Sequence, residues 1–270
     1  MEESKLISVI MGIYNCENTL DDAVNCIINQ TYSNWELIMC DDGSDDSTYL
    51  LAKKLKSKNP KKIVLLRNDT NKGLNYTLNK CLERANGDFI ARMDGDDLCS
   101  PERFYEELKV FFEEPEISIV STDMEFFNET GVFGSITNPD YPKKKDFLKC
   151  TPFCHAPCMI RREALLSVEG YTEDKRLIRV EDYHLWVKMY AAGYIGKNIH
   201  KPLYQMRDDQ NAYKRREFRY RINAAYAHII MVKEFHFPFY MNCLIVIPLI
   251  KGLIPKRLYL YLHKKKLSVS

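Results

Sequence analysis

Phe89-Ile90-Ala91-Arg92-Met93-Asp94-Gly95-Asp96-Asp97 is the stretch on which the reading of the chain turns. An apolar run ends in three carboxylates within four residues, the pattern of a buried strand entering a tight acidic turn, with Gly95 letting the chain bend. Ser100 and Pro101 then read as the N-cap and first residue of a helix. Crowded carboxylates repel one another, and a fold tolerates them when a cation sits between them. Hard oxygen ligands in a short turn suit Mg²⁺ or Mn²⁺, which complete their shells with water and substrate phosphates. Asp-Gly-Asp-Asp is also ordinary turn chemistry, so the surrounding chain has to decide.

Upstream, strand and helix alternate. Leu6 to Met11, Trp35 to Cys40, Ile63 to Leu66 and Phe89 to Met93 read as strands. Helices carry Leu20, Ala23, Val24, Ile27 and Ile28, then Leu51 and Leu55, then Leu74, Leu78, Cys81, Leu82 and Ala85. This alternation predicts an α/β fold, a Rossmann-like and mostly parallel sheet with helices on both faces. Ligands of such sheets bind outside the carboxyl ends of the strands. Here those ends are Gly12-Ile13-Tyr14-Asn15, Asp41-Asp42-Gly43-Ser44, Arg67-Asn68-Asp69 and the Asp94–Asp97 turn.

Downstream, a helix with Phe104, Leu108, Phe111 and Phe112 precedes a strand from Ile117 to Thr122. Residues 125–149 lack periodicity and read as loops and hairpins. Pro152 to Arg162 reads as a strand entering a helix, and Glu181-Asp182 opens a helix closed by Gly193. No Gly-x-Gly-x-x-Gly follows the first strand and no P-loop occurs, which argues against a dinucleotide-dependent oxidoreductase and a P-loop NTPase. A nucleotide must then be held by side chains and a metal.

The 270 residues divide into a domain at 1–213 and a helical tail at 214–270. Net charge is +2, but the tail holds twelve Lys/Arg against two acids, leaving 27 bases against 35 acids elsewhere. Basic clusters (Lys214, Arg215, Arg216; Lys256, Arg257; Lys264, Lys265, Lys266) flank an apolar segment too interrupted to span a bilayer. That suits a monotopic anchor on an anionic leaflet. Nucleic acid is the rival partner for the charge, but so apolar a stretch fits lipid better; packing on the protein itself or on a second copy in a homodimer is the other alternative. Nine irregularly spaced Cys, behind a polar and acidic N-terminus that leads directly into a strand, point to a reducing compartment. Cys150, Cys154, His155 and Cys158 lack the Cys-x₂-Cys spacing of a zinc knuckle.

Five segments in order resemble the motifs of family 2 glycosyltransferases with the GT-A fold: Ser8-Val9-Ile10-Met11 with Tyr14-Asn15, Asp41 to Asp46, Asn71-Lys72-Gly73-Leu74, Ala91 to Asp97 with Ser100 to Phe104, and Glu181 to Trp186. The resemblance is strongest to bacterial enzymes that build capsule, exopolysaccharide or O-antigen. It implies an inverting enzyme moving a sugar from a nucleotide donor, with UDP favoured, to a lipid-linked oligosaccharide at the cytoplasmic face of the inner membrane. Tyr14 and Asp42 match positions that hold the donor's base; Asp42 could equally cap the helix after Ser44. Asp94 and Asp96 match the donor- and metal-binding pair, and Asp182 the base that deprotonates the acceptor, its helix N-terminus favouring the charged form. Glu181, Trp186 and the region through Arg161-Arg162 match the acceptor side. Where relatives carry Tyr-Arg-x-His, this chain has Tyr204-Gln205-Met206-Arg207. Arg207 cannot ligate a cation but could clamp phosphate, so the metal has one protein ligand fewer unless His155 or His200 contributes. The rival functions are a nucleotide-sugar-binding scaffold without turnover, which would not need Asp182, and a nucleotidyltransferase, which usually has a Gly-rich loop that Gly12 to Cys16 lacks.

Overall fold

The computed structural model describes residues 5–207 and 218–253. Its strands are β1 (Ile7–Ile13), β2 (Trp35–Asp41), β3 (Ile63–Arg67), β4 (Phe89–Arg92), β5 (Leu98–Cys99), β6 (Ile117–Asn128), β7 (Gly131–Ile136), β8 (Met159–Arg161) and β9 (Ile195–Arg207). The helices are α1 (Leu20–Ile28), α2 (Thr48–Lys58), α3 (Leu74–Leu82), α4 (Arg103–Glu113), α5 (Arg162–Ser167), α6 (Glu181–Ala191), α7 (Phe218–Glu234) and α8 (Val246–Leu253). One sheet runs β3-β2-β1-β4-β8-β6-β9-β5, with β7 paired to β6. The β3-β2-β1-β4 half is parallel, as predicted. Beyond it β8 runs antiparallel to both β4 and β6.

The period-2 alternation of β1 separates two cores. Ile7, Val9, Met11 and Ile13 pack on one face with α1, α2 and α4; Ile10 points to the other, with α3, α5 and α6. Because β1, β2 and β4 are parallel, their carboxyl ends open on the same edge of the sheet, which brings Tyr14, Asp42 and Asp94 together.

Several boundaries differ from expectation. Strands β5 and β9 were not foreseen, and β6 runs on to Asn128 because β9 pairs with it as far as Arg207. Residues 152–158 are not strand; β8 begins only at Met159. Neither Ser100 nor Pro101 heads the helix. The Ser100 hydroxyl donates to Glu102, the Ser100 carbonyl accepts from Arg103 N, and α4 starts at Arg103. Gly95 does not occupy the left-handed region; a Cβ there would come within 3.0 Å of Cys16 Sγ and 3.1 Å of Ile13, so the turn needs its small size.

Ala225, Ala227, Met231 and Val232 of α7 are buried, and Phe235 meets Phe147 edge-on at 5.0 Å. The Phe239–Ile245 3-10 helix that follows buries no residue. No described helix is long and apolar enough to cross a membrane. Lys214 to Arg216, the expected boundary at 213/214 and the basic clusters from Lys256 onward lie outside the described residues.

Candidate active site

The turn after β4 is fixed from two sides. From β9, the buried Tyr204 hydroxyl accepts from Asp94 N (3.2 Å) and donates to Asp97 Oδ2 (2.9 Å), and Arg207 N donates to Asp97 Oδ1 (2.8 Å). From the start of α1, Thr19 Oγ1 donates to the Gly95 carbonyl at 2.9 Å. Asp97 is therefore an internal brace. Burial, then the nearby Asp94 and Asp96 charges, push its carboxyl well above the usual carboxylate range. Asp94 and Asp96 stay partly exposed on the sheet edge. Arg92 Nη2 donates to Asp94 Oδ1 at 2.6 Å.

Two carboxylates on a rigid turn fit a hard divalent cation that takes its remaining ligands from water and phosphate. Among the described residues no three His, Cys, Asp or Glu side chains gather into a closed metal cage. Neither candidate histidine stands at the turn as a ligand. His200 lies between Asp123 and Asp140, and His155 bonds the Tyr171 hydroxyl at 2.9 Å, its protonation disfavoured by burial and then by the Arg92 charge. Cys158 Sγ donates to the Cys154 carbonyl, within the loop considered for zinc.

The neighbouring turn is organised differently. Asp42 accepts from Asn68 Nδ2 and Lys72 N at Oδ1 (both 2.8 Å) and from Gly73 N at Oδ2 (2.9 Å). It caps the approach to α3, not α2, whose first turn is served by Asp46 at Thr48 N. Tyr14 stands 45% exposed beside it, on a loop tied to this turn by Asp42 N to the Ile13 carbonyl and Asn15 N to Ser44 Oγ.

Asp182 occupies the first turn of α6 and accepts from Tyr183 N at 2.7 Å. The helix terminus does not prevail: burial, then the adjacent Glu181 charge, lift its pKa to about 6. A base poised there is ionised at neutral pH yet basic enough to accept a proton. Two acceptor-side expectations are corrected. Trp186 is fully buried between Phe153 and His155 and faces the core, so it braces α6 and does not touch an acceptor. Arg161 donates to the carbonyls of Ile117, Phe111 and Pro115 and pairs with Phe89 at the far end of β4, away from the turn. Arg207 Nε donates to the Asp96 carbonyl (3.0 Å), and its guanidinium lies 4.6 Å over Phe127. Arg92 and Tyr204, which bond the carboxylates of the turn, carry no such reading in the sequence; a basic residue inside an apolar run was the available signal for Arg92.

Two family models match: "Glycosyl transferase family 2" over residues 8–168 and "Glycosyl transferase family group 2" over residues 89–261. The chain is a family 2 glycosyltransferase. It is 39% identical over 266 residues to EpsE of Bacillus subtilis, named as a glycosyltransferase, covering 98% of this chain and 96% of EpsE. It is 30% identical over 186 residues to WfgD of Escherichia coli, a UDP-Glc:α-D-GlcNAc-diphosphoundecaprenol β-1,3-glucosyltransferase, covering 68% and 69%. Among solved structures, Staphylococcus aureus TarS 1–349 with UDP superposes with a TM-score of 0.66 at 18% identity, over 92% of this chain and 70% of that one. The mannosyltransferase PcManGT of Pyrobaculum calidifontis, with GDP-Man and Mn²⁺, gives 0.62 at 18%, over 90% and 68%. The glycosyltransferase therefore has the GT-A fold.

Proposed function

We propose that this glycosyltransferase is an inverting, divalent-metal-dependent enzyme that moves a sugar from a UDP-sugar to a lipid-linked oligosaccharide in bacterial surface polysaccharide synthesis. The observation that carries this is the combination of a braced two-carboxylate turn with a separate carboxylate, Asp182, whose pKa is lifted to about 6. The UDP bound by TarS and the donor and acceptor in WfgD's name support the substrate classes.

Asp182 takes the proton from the acceptor hydroxyl as that oxygen attacks the sugar's anomeric carbon. The bond to the diphosphate oxygen breaks on the opposite face, so the configuration inverts. Tyr14 offers a ring for the base to stack on, and Asp42 shapes the loop beside it and has acceptor capacity left for the base. Asp96, helped by Asp94, would hold Mn²⁺ or Mg²⁺, which neutralises the departing diphosphate when bound. Arg207 adds positive charge next to Asp96 for the same phosphates. Glu181 orients the acceptor beside Asp182. Phe239 (86%), Tyr240 (70%), Ile247 and Ile250 are exposed apolar side chains suited to the leaflet in which such an acceptor sits.

A panel of UDP-, GDP-, dTDP- and CMP-sugars, with Mn²⁺ or Mg²⁺ and with or without EDTA, tests this. Slow hydrolysis or binding of one UDP-sugar that needs metal is the expected result. Binding of none of them in the presence of metal would remove the donor site from this turn.

A further inference from the structure

Lys143, Lys144, Lys145 and Lys149 form an exposed basic run between β7 and β8, on and around a short 3-10 helix spanning Lys144–Leu148. Elsewhere on this domain Lys5, Lys109 and Lys201 pair with acids. Lys143, Lys145 and Lys149 have no ion-pair partner among the described residues. The acid within the run, Asp146, is turned to the Lys143 backbone amide at 2.8 Å.

The run is pinned to α6, the helix that opens with Glu181-Asp182. The Tyr183 hydroxyl donates to the Phe147 carbonyl at 2.9 Å, and the Tyr190 hydroxyl donates to the Pro142 carbonyl at 3.0 Å. On its other side the run meets the tail. Phe147 packs on Phe235 at 5.0 Å, just past α7, and Lys144 Nζ lies 5.1 Å over the same Phe235 ring. The exposed Phe239 and Tyr240 follow shortly after. Unpaired ammonium groups beside exposed aromatic rings suit a surface that is anionic at the headgroups and apolar beneath them.

We propose that this lysine run and Phe239-Tyr240 form one docking surface for an anionic phospholipid bilayer, which holds the Asp182 end of the site against the leaflet. The proposal rests on the lipid-linked acceptor argued above: a hydroxyl tethered to a lipid reaches the base only if the base stays near the headgroups. Lys54, Lys56 and Lys58 of α2 are also exposed, but α2 exposes no aromatic side chain, so they serve as the charge control.

Co-sedimentation of the full chain with vesicles of phosphatidylcholine, alone or mixed with phosphatidylglycerol, tests this, with donor hydrolysis and melting measured alongside. Wild type should bind the mixed vesicles, and more weakly as salt rises. Replacing Lys143, Lys145 and Lys149 together by Gln should weaken that binding by about 100-fold, at about fivefold per lysine, with hydrolysis and melting unchanged. Lys144 is kept because it stacks on Phe235. The same change at Lys54, Lys56 and Lys58 should alter binding by less than about twofold, since charges away from the bilayer are screened. Phe239→Ser should also weaken binding without moving hydrolysis. Equal losses in the two triple variants would mean diffuse charge attraction and overturn the proposal, as would self-association or polynucleotide binding through the Lys143–Lys149 run in place of vesicle binding. Vesicle binding as expected, with no lipid-linked acceptor glycosylated, would overturn the acceptor reading and leave the docking surface standing.

Discussion

Asp41-Asp42-Gly43-Ser44 and Asp94-Gly95-Asp96-Asp97 close two parallel strands on the same edge of the sheet, and in sequence both look like ligand-binding turns. In the first, the carboxylates turn inward. Asp41 is fully buried against Arg67 Nε at 3.0 Å, with Arg67 itself stacked 4.1 Å from the Tyr49 ring, and Asp42 gathers two backbone amides and Asn68. In the second, only Asp97 is drawn fully inside, which leaves Asp94 and Asp96 on the edge. What separates them is burial: Asp41, Asp42 and Asp97 are drawn inside, while Asp94 and Asp96 keep contact with solvent. A carboxylate surrounded by amides becomes architecture; one held at a rigid edge remains available for chemistry.

The comparison can be broken most sharply at Asp182, the proposed base. Asp182→Asn should lower kcat by about 10³-fold, the usual scale of general-base loss, while donor binding persists. Because burial raises this carboxyl's pKa, its ionised form opposes folding. The variant should therefore melt higher than wild type at pH 7, and the difference should fade as pH drops from about 6 towards 4. Wild-type turnover should fall below pH 6 for the same reason. Unchanged turnover in Asp182→Asn would end the assignment.

Next, Asp96→Ala should reduce turnover by about 10²-fold and abolish the metal dependence of nucleotide binding, with melting unchanged or raised. Asp42→Ala should do the reverse in kind, losing about 2 kcal/mol of stability as the Lys72 and Gly73 amides lose their acceptor. If urea unfolding shows Asp42→Ala as stable as wild type, the division between architectural and chemical turns collapses.

The two glycines sharpen the contrast at the smallest scale. Gly43 has φ +73° and a Cβ there would meet the Thr70 backbone at 2.8 Å, so Gly43→Ala should cost about 2 kcal/mol. Gly95→Ala meets side-chain atoms of Cys16 and Ile13 at 3.0 and 3.1 Å, which can shift, and should cost about 1 kcal/mol. Equal losses in chemical denaturation would contradict that reading.

Local pattern carried much of this molecule. The period of the apolar residues in β1 to β4 and the intervening helices reports directly on which side of each element is buried, and turn residues such as Gly193, at φ +92°, mark ends by backbone sterics alone. The acidic turn and the Glu181-Asp182 helix start were legible for the same reason: each is a few consecutive residues. Strands β5 and β9 were not, since a two-residue strand has no period and β9 is polar where it leaves the core.

The tertiary structure alone decided what each site residue faces. Trp186 reads as a site aromatic until α6 is docked and its ring lies between Phe153 and His155. Asp182 gains a raised pKa because packing partly withdraws it from water beside the Glu181 charge, against the local pull of its helix terminus. Tyr204 bonds Asp94 and Asp97 from more than a hundred residues away. Sequence determines where a chain turns and which face is apolar because these are short-range sterics and solvation. Partners, burial and the protonation they impose depend on long-range approach, which only the folded chain supplies.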